Sequence, residues 1–152
     1  MSALKQISTE ELHKEIDLIQ SCITRMAQNS FMIKGWGFSL VVAFVALTVE
    51  KISWTIISGT GVFMLLCFWL LDAFFLKIEK CYRFKYEWVI ANRKNNNGDY
   101  LYDLNPYNEK TRKKGKKTPS VVSVMFSKPY TLLLFYGTPT VIGFIVMIVD
   151  LI

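Results

Sequence analysis

Three stretches of this chain carry no charged residue, and they limit its fold more than any other feature. Gly35 to Val49 (GWGFSLVVAFVALTV) runs for fifteen residues, and Ile52 to Leu71 (ISWTIISGTGVFMLLCFWLL) and Tyr130 to Val149 (YTLLLFYGTPTVIGFIVMIV) run for twenty each. An α-helix rises ~1.5 Å per residue and the hydrocarbon layer is ~30 Å thick, so about twenty apolar residues cross it. The sequence therefore predicts three transmembrane helices. The first run is short, so its span is expected to begin near Phe31 and to include Lys34, whose amine reaches back to the interface. Glu50 and Lys51 alone separate the first two runs, which predicts a tight antiparallel hairpin. With 52% hydrophobic and 20% charged residues in 152, the chain is too apolar for a soluble domain of its size. The first apolar run follows about thirty residues of polar helix without a small-residue cleavage site, which argues against a signal peptide.

The flanking segments carry helical signals of their own. Ser8 followed by Glu11 is a capping box, in which hydroxyl and carboxylate satisfy free amides at a helix start. After it, Leu12, Ile16, Ile19, Ile23 and Met26 recur every three or four residues, the seam of a coiled coil or bundle. That stripe fits a second copy of the chain and the chain's own cytoplasmic loop equally well. Beyond the second run, Phe75, Ile78, Tyr82, Lys85 and Val89 continue the helical period to about Asn92, where Asn95 to Gly98 (NNNG) ends it. The expected fold is an all-α membrane protein of three transmembrane helices, with an N-terminal amphipathic helix and a cytoplasmic extension of the second span forming a stalk. Its segments are a cytoplasmic helix over 1–30, a hairpin over 31–76 with spans near 31–49 and 52–71, a helix extension and basic loop over 77–129, and a third span over 130–152.

Charge sets the expected orientation. Residues 77–129 hold thirteen Lys and Arg against five Asp and Glu, the hairpin turn holds one Lys, and the C-terminal end holds none. By the positive-inside rule the N-terminus and long loop are cytoplasmic and the C-terminus lies outside, which for a bacterial inner membrane is the periplasm. The basic run EKTRKKGKKTP (Glu109 to Pro119) is the extreme of this asymmetry. A topology anchor, a patch for anionic lipid and a docking site for a polyanion all use such a run.

Polar groups inside a span are costly and mark candidate function. Lys34 and Asp72 both lie near the cytoplasmic boundary, so the hairpin can pair them, or they can line an ion path; with Ser39 they are the candidate pore or gating residues. Thr55, Ser58, Gly59, Thr60 and Gly61 place small residues on the second helix, suited to packing within the chain or between copies. Pro139 beside Gly137 and Thr138 predicts a kink in the third span. Cys22, Cys67 and Cys81 read as reduced structural thiols, and the lone His13 has no second metal ligand nearby. Neither a cofactor motif nor a catalytic constellation is found, so an enzyme is not expected.

Ahead of the basic run stands GDYLYDLNPYNEK. Tyr100, Tyr102 and Tyr107 next to cations are what single-stranded nucleic acid requires, aromatic faces for bases and charge for phosphates. The candidate ligand-binding residues are Arg93, Lys94, Tyr100, Tyr102, Tyr107, Arg112, Lys113, Lys114, Lys116 and Lys117.

The stretches MAQNSFMIKGW (Met26 to Trp36), FWLLDAFFLKIEKCYRFKYEWV (Phe68 to Val89), YDLNPY (Tyr102 to Tyr107) and MFSKPYTLLLFYG (Met125 to Gly137) resemble the short membrane effectors of bacterial antiphage systems. The resemblance is to the membrane effector of Hailong-type systems, in which a partner nucleotidyltransferase makes single-stranded oligodeoxyadenylate. It implies a homo-oligomeric channel, a tetramer, held closed by bound oligonucleotide and opened when the ligand is lost, so that growth of the infected cell stops (abortive infection). The alternative from the residues alone is a non-conducting accessory membrane protein whose basic loop binds a protein partner or anionic lipid.

Overall fold

A computed structural model describes residues 7–95, 97–112, 115–127 and 130–152. The order is α1 (Thr9–Thr48), α2 (Trp54–Arg93), a 3-10 turn (Glu109–Thr111), α3 (Val121–Met125), and α4 (Thr138–Leu151) entered through a π turn (Leu133–Gly137). Strands are absent among the described residues. Among the described residues, three helices are long and apolar enough to cross a membrane: Thr9–Thr48, Trp54–Arg93 and Leu133–Leu151. The expected all-α membrane fold is the one observed.

Local chemistry explains the helix ends. The Ser8 N–H donates to Glu11 Oε2 (3.0 Å) and the Glu11 N–H donates to Ser8 Oγ (3.1 Å), the reciprocal pair of a capping box. Proline is absent until residue 106, so α1 and α2 each continue for 40 residues, about 60 Å, twice what a bilayer needs. The expected N-terminal helix and first span are thus one element. Between α1 and α2 the chain reverses at once, with the Lys51 and Ile52 amides both donating to the Thr48 carbonyl (2.9 and 3.1 Å). At the start of α2, Asp150 Oδ2 accepts from the Thr55 N–H (2.7 Å) and hydroxyl (2.5 Å). A carboxylate at a helix N-terminus satisfies a free amide and opposes the positive end of the dipole.

The chain forms two compact units: Met1–Gln28 with Leu76–Pro119, and Asn29–Phe75 with Ser120–Ile152. In the second, α2 buries Ile57, Ser58, Val62, Leu65, Trp69, Asp72 and Ala73, a helical stripe, and the last span buries Leu132, Tyr136 and Thr140 one turn apart. Gly37 and Gly143 set the spacing. A Cβ on Gly37 would lie 2.8 Å from Phe68 Cγ, and one on Gly143 would lie 2.6 Å from Val62 Cγ2. Gly59, one of the expected small-residue contacts, faces Met147 of the last span, a packing within the chain. Just before Pro139, where the sequence predicts a kink, the helix passes through the π turn, and the Thr138 amide donates to the Leu134 carbonyl. Proline has no N–H to give, and the widened turn accommodates it.

In the first unit, α1 buries Glu15, Ile19 and Cys22, and α2 buries Cys81, Lys85, Val89 and Arg93. Of the expected α1 stripe only Ile19 is fully buried. The seam is rotated slightly, so that a carboxylate enters it.

Candidate functional site

The loop after α2 is irregular, and a run of its short polar side chains holds the backbone. Asn97, Asp103, Asn105 and Asn108 each accept, on a side-chain oxygen, the N–H two residues on (2.8 to 3.1 Å). These are Asx turns, which short amide and carboxylate side chains form in preference to helix.

Two ion pairs anchor the loop, Arg93–Glu15 fully buried and Lys85–Asp103 buried at the lysine and half-buried at the carboxylate. Arg93 Nε and Nη2 donate to the two Glu15 oxygens at 2.8 Å each, and Arg93 Nη1 donates to the carbonyls of Asn97 and Asp99. Glu15 Oε1 also accepts from the Tyr102 N–H (3.2 Å). Lys85 Nζ lies 2.9 Å from Asp103 Oδ2 and donates to the Asn105 carbonyl (3.0 Å). Asp103 Oδ2 takes a further bond from the Asn108 amide (2.7 Å). Burial pushes the Asp103 carboxyl up, but the bonds from Lys85, the Asn105 N–H and Asn108 outweigh it and hold it below its ordinary value. Burial raises Tyr107 above its ordinary value.

This support places three tyrosines at the surface. Tyr100, Tyr102 and Tyr107 are 40%, 38% and 43% exposed. Tyr100 and Tyr102 have φ of 56° and 58°, a left-handed conformation that bulky residues rarely adopt. For Tyr102 the bond to Glu15 helps to hold the backbone there, and Tyr100 sets its ring edge-on to Trp88 (6.3 Å). Lys77 lies over the Tyr107 ring (5.7 Å) and Lys116 over Phe84 (5.2 Å).

The expected ligand residues therefore separate. Lys94, Lys116 and Lys117 are exposed with the tyrosines, as is Lys110. Arg93 and Arg112 are buried: Arg93 is committed to Glu15, and Arg112 Nη2 points to the Tyr107 carbonyl (3.5 Å). Their burial removes them from the exposed set, because a buried guanidinium that holds the loop cannot also meet phosphate at the surface. Lys113 and Lys114 lie outside the described residues. Glu15, Lys85 and Asp103 were missed as site supports. Of these only Lys85 left a local signal, an amine within an otherwise apolar stripe.

In the second unit Lys34 and Asp72 do pair, with Nζ 2.6 Å from Oδ2. Lys34 also donates to Ser30 Oγ (2.8 Å), and the Ser30 hydroxyl donates to Asp72 Oδ1. Asp72 is fully buried, whereas Ser39 points outward from α1.

These features define a class: an all-helical membrane protein whose polar unit carries an ordered loop of exposed tyrosines and lysines. Comparison with protein family models, curated proteins and solved structures finds no match.

Proposed function

We propose that this protein is an oligomeric ligand-gated channel or permeabilising effector of bacterial antiphage defence, regulated by a single-stranded oligonucleotide at the tyrosine–lysine loop. The observation that carries the reading is the exposure of Tyr100, Tyr102 and Tyr107 on a loop fixed from below, with Tyr100 and Tyr102 in a strained backbone state. Such strain costs about 1–3 kcal/mol per residue and persists where a site needs it. Stacking contributes ~1–3 kcal/mol per base, and Lys94, Lys110, Lys116 and Lys117 supply charge for phosphates.

The resemblance to Hailong-type effectors supports oligodeoxyadenylate as the ligand, a nucleotidyltransferase as its source and a homotetramer as the assembly. The charge asymmetry supports a bacterial inner-membrane setting with the N-terminus and loop cytoplasmic and the C-terminus periplasmic. Occupancy gates the channel only if the ligand prefers one state, and the closed state is the proposed one. The Lys34–Asp72 pair joins the first two spans and is the proposed gating contact.

The test is ion flux from liposomes containing the protein, with and without short oligodeoxyadenylate at moderate salt. Suppression of flux is expected. Stimulation would keep the channel and reverse the gate. Absence of flux from folded, inserted protein would overturn the channel and favour an accessory protein whose loop binds a partner or anionic lipid.

A further inference from the structure

A slot opens between the three spans of the second unit. Val41 and Val45 of α1, Pro139 and Val146 of α4, and the face of α2 that runs from Trp54 to Leu65 enclose a volume of about 190 Å³. Its lining is apolar. Ser58 belongs to it, but the hydroxyl is turned back on its own helix and donates to the carbonyls of Trp54 (2.6 Å) and Thr55 (3.2 Å). Gly61 marks the emptiest point: it is buried, yet a Cβ there would meet nothing within 4 Å. The contrast is Gly143 across the slot, where a Cβ would lie 2.6 Å from Val62 Cγ2.

Helices pack to the density of organic crystals, so a gap of this size between membrane spans calls for a filler. Water is a poor one, because apolar cavities stay dry. Dimensions narrow the choice further. The rise from Trp54 to Leu65 is ~16 Å at ~1.5 Å per residue, about half of a ~30 Å hydrocarbon layer, which is the depth of one leaflet. Spread over that length, the volume leaves a passage only a few ångströms across, too narrow for a second helix with its ~10 Å diameter. Ile142 on the rim is 56% exposed, so the slot is open on the lipid side. Exposed Trp54 and Lys51 at the hairpin turn mark its headgroup end, the level at which indole rings and amines anchor a span.

We propose that this slot is a binding site for one acyl chain of a membrane phospholipid, which enters beside Trp54 and lies along Gly61 toward Leu65. An unbranched hydrocarbon chain is the molecule that a bilayer supplies with this width, this length and no polar group to satisfy. The missing side chain at Gly61 is what admits it. The bound chain joins α1 to α4, whose facing residues Val41, Val45 and Val146 the protein leaves only half-buried. The inference rests on the membrane-crossing helices and does not depend on the channel reading.

The experiment is native mass spectrometry of the full chain, released into detergent from vesicles of phosphatidylethanolamine and phosphatidylglycerol. Retained phospholipid is expected in the wild type. G61L, whose side chain fills the slot, should retain severalfold less without a fall in thermal midpoint, because nothing stands near the added Cβ. G35L is the control: its Cβ is equally free of neighbours but lies off the slot, and retention should match the wild type. Wild type without retained phospholipid overturns the site, as does unchanged retention in G61L or an equal loss in G35L. A loss in G61L together with a smaller oligomer would give the slot to a side chain of a neighbouring copy and overturn the proposal as well. Should G61L fail to fold, V45F narrows the slot from α1: severalfold loss is again expected, and unchanged retention overturns the site.

Discussion

At the scale of single residues, the least replaceable groups are the charges that the first unit buries. Arg93 and Glu15 have side chains 1% exposed each and satisfy one another in two parallel bonds. Removing one partner leaves the other buried and unpaired, which costs about 3–5 kcal/mol. R93M and E15L are each expected to lower the thermal midpoint in detergent, followed by circular dichroism, and the double variant E15L/R93M is expected to lose less than the sum of the two. Asp103 carries a pH dependence. Its folded pKa is depressed, so its contribution is full above the unfolded value near 4 and is lost as pH falls through the lower folded value. Unfolding between pH 7 and pH 2 should show a stability loss beginning below about pH 4 in the wild type. D103N should be less stable at pH 7, because Lys85 loses its counter-charge, and should lack that part of the acid slope.

At the scale of elements, helix contacts depend on where a glycine points. Gly37 and Gly143 each allow a neighbouring helix to approach, and an added methyl would meet Phe68 or Val62 below 3.0 Å. G37A and G143A should each destabilise by about 1–3 kcal/mol, the ordinary cost of overpacking. G35A is the control. Nothing lies within 4 Å of its added Cβ, so the change should be neutral or slightly stabilising, as alanine is the better helix former. Thermal unfolding of all three in one detergent separates these outcomes. An equal loss in G35A would show that the Gly35 face of α1 is occupied by something other than detergent.

At the scale of the whole molecule, the proposed ligand predicts how affinity varies with salt. Each phosphate neutralised on a single strand contributes about 0.7 to the slope of log K against log salt. K116E/K117E should weaken oligodeoxyadenylate binding and lower that slope by about 1.4 if both lysines meet phosphates. Y100A/Y102A should weaken binding with little change in slope, because stacking releases no counterions. Unchanged binding in both variants would take the loop out of the site.

Patterns with short repeats were readable from the chain alone. Three uncharged runs required three membrane-crossing helices, because lipid offers backbone groups no partner and length follows from the rise per residue. Ser8 with Glu11 marked a helix start, and Lys34 and Asp72 could be paired because a tight hairpin places the ends of its two arms side by side. What the tertiary structure alone decided is which charges go inside. Glu15 and Arg93 are 78 residues apart, and each by itself reads as a solvated residue on a polar helix. Arg93 thus looked like a ligand contact until its partner was in place. The same holds for Lys85 with Asp103, and for Tyr136, which a π turn aims inward at Asp72. Local sequence sets period and capping because those depend on neighbours within a turn or two. Burial of a charge depends on a counter-charge from a distant segment, since only the folded chain brings the two close enough to offset the loss of water.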